Sequence, residues 1–142
     1  MVPLPSPDAN ARGTVATERP LVLIVEDNEQ NRKLARDVLR ASGFATLEAA
    51  TGAEGIALAA EHLPDVILMD LGLPDMDGTD VARQLGDEAK TARIPVVVLS
   101  ALPLEGDGDW YLAAGFAGYL EKPISVGEFP DQVRRYCAPA GA

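Results

Sequence analysis

The chain is poor in cysteine, histidine and positive charge, and it has no long apolar run. A single cysteine, Cys137, among 142 residues cannot close an internal disulfide. Stability must therefore come from a buried core, which a domain of this length can supply without disulfides or structural metals. Twelve Lys and Arg against 22 Asp and Glu leave a net charge of -10, which argues against direct binding to DNA or to an anionic membrane surface. No stretch approaches the roughly 20 apolar residues that a spanning helix needs. The region after Met1 shows no basic segment followed by an apolar one, so no secretory signal is read and a cytoplasmic location is expected. There is no internal repeat, and the lone His62 reads as a solvated residue near a helix end.

What the chain does have is a succession of strand-length apolar runs, each ending in polar residues. Residues 1 to 19 hold Pro3, Pro5, Pro7 and Gly13 without periodicity and are expected to be a disordered N-terminal extension. Leu21 to Val25 then reads as a buried strand ending at Glu26-Asp27-Asn28, followed by a helix carrying Leu34, Ala35, Val38 and Leu39 and closed by Gly43. A second strand is expected over 44 to 48. Thr51 and Glu54 suggest a capping box for a helix bearing Ile56, Leu58 and Leu63, stopped by Pro64.

The run Val66-Ile67-Leu68-Met69 ends at Asp70, at the head of a Pro/Asp/Gly loop, and the organising strand is expected over 65 to 70. A helix over about 79 to 85 then places Val81, Ala82 and Leu85 on one face. The fourth strand, 95 to 99, stops at Ser100-Ala101. Pro103, Gly106 and Gly108 precede a short helix expected from Asp107 or Asp109, in which Trp110 could serve either the core or docking. A fifth strand over 116 to 120 leads into Glu121-Lys122-Pro123. The last helix has a possible capping box in Ser125 and Glu128 with Ile124 and Phe129 as a staple, although Pro130 favours a start a few residues later. Cys137 reads as a C-terminal packing residue, and 139 to 142 as a tail. Five strand-helix alternations imply an α/β protein with a doubly wound parallel sheet.

The polar residues at the strand ends form a coherent set: Glu26, Asp27, Asp70, Ser100 and Lys122. The ligand crevice of such sheets lies outside the carboxyl ends of the strands. If strands 1 and 3 are neighbours, three carboxylates converge there, and a hard divalent cation such as Mg²⁺ would relieve their repulsion. Lys122 could neutralise a phosphate oxygen. Each residue alone has a plainer reading: a strand-end Asp as a cap, Ser100 as a partner for backbone groups, Tyr119 as strand packing.

Separations of 43, 30 and 22 residues link Asp27, Asp70, Ser100 and Lys122. With Glu26-Asp27, L-M-D-L-G-L-P-D-M-D-G around Asp70, Ser100-Ala101, Tyr119 and Lys122-Pro123, the chain resembles the receiver domain of bacterial two-component response regulators over about residues 20 to 138. The resemblance implies a flavodoxin-like (βα)5 fold with a five-stranded parallel sheet of order 2-1-3-4-5. It implies that Asp70 accepts a phosphoryl group from a phosphohistidine. Asp27, Asp70 and the backbone carbonyl of Gly72 would ligate Mg²⁺, with Glu26 helping through water. Ser100 and Lys122 would contact the phosphoryl oxygens, and Tyr119 would switch with Ser100. A cis Lys122-Pro123 bond is implied as well.

The implied partners are a sensor histidine kinase or histidine phosphotransfer protein, and a downstream protein docking on the face of the fourth helix, fifth strand and fifth helix. With only a short tail after residue 138, the chain is similar to stand-alone receivers, which switch binding rather than turn over an external substrate. Two competing readings are a phosphorylation-independent scaffold and an aspartyl-phosphate hydrolase. The second is weakened by Gly72 standing where such enzymes commonly carry a second Asp. A flavodoxin is disfavoured because no phosphate-cradling loop follows the first strand.

Overall fold

The computed structural model describes residues 19–100 and 110–137. The expectations for residues 1–18, for Ala101, for the Pro/Gly segment 103–108 with the start of the fourth helix, and for the tail 139–142 lie outside the described residues. The described chain runs β1 (Leu21–Val25), α1 (Glu29–Ala41), β2 (Ala45–Ala49), α2 (Gly52–His62), β3 (Val66–Met69), α3 (Gly78–Asp87), β4 (Val96–Ser100), α4 (Trp110–Ala113), β5 (Gly118–Glu121) and α5 (Phe129–Tyr136). The strands form one parallel sheet in the order β2-β1-β3-β4-β5.

Side chains of a strand alternate between the two faces of the sheet, so runs apolar at every position must be covered on both. Val22, Ile24, Val66, Leu68, Val97 and Leu99 meet Ala35, Val38 and Leu39 of α1 and Phe129 and Val133 of α5. The intervening residues Leu23, Val25, Ile67, Met69, Val96 and Val98 meet Ala59 of α2 and Val81, Ala82 and Leu85 of α3. The expected doubly wound fold of order 2-1-3-4-5 is the one observed.

Three local expectations are corrected. Leu34 is 41% exposed, because it precedes Ala35 by one helical step of about 100° and so leaves the face centred on Ala35, Val38 and Leu39. Leu63 lies beyond α2 as its left-handed cap, with φ 50° and 48% exposure. Pro64 disfavours the right-handed helical conformation for the residue before it. At α5 the Ser125/Glu128 box does not form and the helix starts later, as Pro130 favoured: Glu128 is itself the N-cap, without a side-chain cap bond. Pro130 falls in the first turn, where its missing N–H costs nothing. The Ser125 carbonyl instead accepts the amides of Glu128 and Phe129 at 3.1 and 2.8 Å.

At α2 the capping box is present in modified form. Thr51 Oγ1 accepts the Glu54 amide at 3.1 Å, and Glu54 Oε1 accepts the amide of Ala50 at 3.0 Å. The Lys122-Pro123 bond is cis.

Gly118 on β5 leaves room for the ring of Tyr136 from α5, into which any Cβ would run. Gly118→Ala is expected to cost about 1–3 kcal/mol through overpacking, read as a lower melting temperature. Tyr136→Ala in the same chain should relieve that clash.

Candidate functional site

The site lies at the carboxyl edge of the sheet, where hydrogen bonding continues one residue past three strands. Glu26 N–H donates to Ala49 O at 2.9 Å, Asp70 N–H to Val25 O at 3.0 Å, and Lys122 N–H to Ser100 O at 2.8 Å. Each functional side chain therefore leaves a backbone that is still held by the sheet. A guanidinium from α1 adds to this, since Arg32 Nη1 donates to the Glu26 carbonyl at 2.9 Å.

Glu26, Asp27 and Asp70 come together so that one carboxylate oxygen of each lies within 4.8 Å of the others. Glu26 is buried, Asp70 half-buried and Asp27 exposed. Lys122 Nζ donates to Glu26 Oε1 at 2.6 Å and stands 3.8 Å from Asp70 Oδ1. The second Glu26 oxygen accepts the amide of Asn28 at 3.1 Å. Both Glu26 oxygens are thus engaged within the protein, and Asp27 and Asp70 form the outer part of the cluster.

Burial, and next the charge of Glu26, push the Asp70 carboxyl up from 3.8 to about 6; Lys122 and the Gly72 amide oppose this, and a hydrogen bond with Asp27 adds to it. The cluster holds more negative charge than one ammonium balances. Gly72, exposed, donates its amide to Asp70 Oδ1 at 3.3 Å. Ser100 is buried at the end of β4, its backbone in register with Glu121.

Tyr119 pairs in register with Val98, two residues before Ser100, and packs on the α2/α3 side of the sheet. Its ring lies 6.0 Å from Trp110 and 5.9 Å from Tyr111, and Trp110 also meets Phe116 edge-on at 6.5 Å. Trp110 keeps 40% exposure, so it belongs to this aromatic cluster while presenting one side to solvent.

Cys137 packs against the α1/α5 core, and burial, with Asp65 adding and Arg134 opposing, pushes its thiol up to about 11. A thiol so held is unsuited to redox sensing near neutral pH. His62 is exposed at the end of α2, 3.8 Å from Glu61.

Three contributors escaped the sequence reading. Asn28 both caps α1, accepting the Asn31 amide at 2.9 Å, and holds Glu26; an Asn just before a helical run is the signal that could have found it. Arg32 and Asp75 act across the fold, on Glu26 and on α2, and carry no local signal.

Residues 22–134 match the family described as response regulator receiver domain. A polar-differentiation response regulator DivK of Brucella ovis is 42% identical over 119 residues, covering 84% of this chain and 97% of that protein. Among solved structures, the receiver domain of a sensor histidine kinase from Pseudomonas aeruginosa aligns with TM-score 0.75 and 32% identity. The alignment covers 83% of this chain and 97% of that one, whose active-site cleft coordinates a magnesium ion. The chemotaxis protein CheY4 of Vibrio cholerae aligns with TM-score 0.77 at 24% identity over 83% of this chain and 98% of its own, a likeness of fold.

Proposed function

The chain belongs to the response regulator receiver family, and on that premise we propose that it is a phosphorylation-controlled binding module whose receiver spans residues 20 to 138 and whose phosphoacceptor is Asp70. The observation that carries this reading is the placing of Glu26, Asp27 and Asp70 within 4.8 Å of one another, with an ammonium 3.8 Å from Asp70.

An oxygen of Asp70 attacks the phosphorus of a phosphohistidine, the P–N bond breaks, and its electron pair stays with the imidazole nitrogen. The product is an aspartyl phosphate on this chain and a free histidine on the donor, a histidine kinase or histidine phosphotransfer protein. The residues present fit magnesium: hard oxygen donors, few carboxylates and an exposed side left for water and phosphate. Asp27, Asp70 and the Gly72 carbonyl would hold the ion, with Glu26 behind them. When bound, it supplies neutralising charge for the carboxylates and for the phosphoryl oxygens.

Lys122 is kept beside Asp70 by its bond to Glu26 and balances the added negative charge, while the Ser100 hydroxyl donates to a phosphoryl oxygen. Tyr119, two register positions from Ser100, carries that change to the aromatic cluster and the α4-β5-α5 face, where a downstream protein docks.

Incubation with acetyl phosphate and magnesium is expected to add one phosphoryl mass to the intact protein, mapping to the peptide that contains Asp70. Chelation of magnesium should remove the signal. Labelling that survives chelation, or that maps to another residue, would defeat the proposal.

A further inference from the structure

Asp75 stands outside the acidic cluster, yet its carboxylate makes two long-range bonds. Its Oδ1 accepts the Gly52 amide at 2.8 Å and its Oδ2 the Ala53 amide at 2.9 Å. These are the first two amides of α2, which have no acceptor within the helix. Thr51 already serves the third, that of Glu54. Asp75 therefore completes the cap of a helix more than twenty residues earlier in the chain.

The loop that carries Asp75 is closed at its base. Gly78 N–H donates to Leu71 O at 3.3 Å, Gly72 N–H to Asp70 Oδ1 at 3.3 Å, and a Cβ on Gly78 would sit 3.1 Å from Asp70 O. Near its tip the loop lies hard against α2, since a Cβ on Gly52 would fall 2.6 Å from Met76 Cγ. A short loop tied at both places behaves as one unit, with Asp70 and Gly72 at its base and the Asp75 bridge at its tip.

Resting on the magnesium-dependent reading above, we propose that Asp75 is a positioning residue for the metal and phosphoacceptor site. By fastening the 71–77 loop to the start of α2, it fixes where Asp70 and the Gly72 backbone present their oxygens.

Magnesium binding to the full chain is measured by calorimetry, and amide exchange over 71–77 by mass spectrometry. Asp75→Ala should bind magnesium about tenfold more weakly, the lower end for residues that support ligands from behind, and exchange faster over the loop. Thr51→Ala removes a cap bond from the same helix end without releasing the loop, and should melt lower but bind magnesium as wild type does. Asp77→Asn removes a charge from the same loop at a position with no side-chain cap bond, and should also bind as wild type. Wild-type affinity and exchange in Asp75→Ala would overturn this inference alone, as would an equal loss in Thr51→Ala or Asp77→Asn. A wild-type chain that binds no magnesium would overturn it together with the proposed function.

Discussion

Replacing Asp70 by Asn is expected to abolish phosphoryl labelling and, in the same protein, to raise the melting temperature near neutral pH. Under the proposed function the first effect follows from removal of the carboxylate oxygen that would attack phosphorus; an amide is no nucleophile under these conditions. The second follows from the elevated Asp70 pKa of about 6 against an ordinary 3.8. A carboxyl that holds its proton more tightly in the folded state makes the fold more stable below its unfolded pKa. That stability is lost as pH rises through roughly 4 to 6, and above about 6 the penalty is complete.

Two pKa units correspond to nearly 3 kcal/mol, and water at the open side of the site reduces this to about 1–2 kcal/mol. Asn keeps the shape and an oxygen for the Gly72 amide but carries no charge, so it escapes the penalty. With magnesium chelated, Asp70→Asn should exceed wild type by several degrees near pH 7.5, and the gap should close near pH 4. A variant that melts below wild type at pH 7.5, or a gap that does not change with pH, would contradict the charge crowding described here.

Lys122→Met should have the largest effect on stability. The Lys122 and Glu26 side chains are only 14% and 3% exposed and meet at 2.6 Å. Removing the ammonium leaves a buried carboxylate without its counter-ion beside two others, a loss of about 3–5 kcal/mol. For a domain of this size that is a fall of about 10–17 °C in melting temperature. Glu26→Gln added to Lys122→Met should restore much of it, because the pair is then removed as a unit. Saturating magnesium should stabilise Lys122→Met more than wild type, since a bound cation takes over part of the missing charge. A single variant within about 1 kcal/mol of wild type would show that the pair contributes little.

The legible part of this protein was the part governed by short-range pattern. The apolar runs at 21–25, 66–69 and 96–99 read as strands covered on both faces, and Thr51 and Gly43 sit where helix ends need an acceptor or a positive φ. Where two local rules competed, proline prevailed over the competing pattern. At α5 the capping-box pattern of Ser125 and Glu128 lost to Pro130, whose ring is tolerated only in the first turn. At the end of α2, Leu63 continued the apolar pattern but yielded to the following proline.

The linear chain by itself determined the α/β alternation, the doubly covered sheet and the presence of acidic, hydroxyl and ammonium groups at strand ends, because each depends on neighbours within a few residues. Only the tertiary structure decided what those groups do to one another. It gave Lys122 to Glu26 at 2.6 Å and left it 3.8 Å from Asp70, and it set Arg32 on the Glu26 carbonyl and Asp75 on the first turn of α2. Electrostatic coupling and hydrogen bonding act over a few ångströms of space. The separation of these partners along the chain therefore holds no record of their strength.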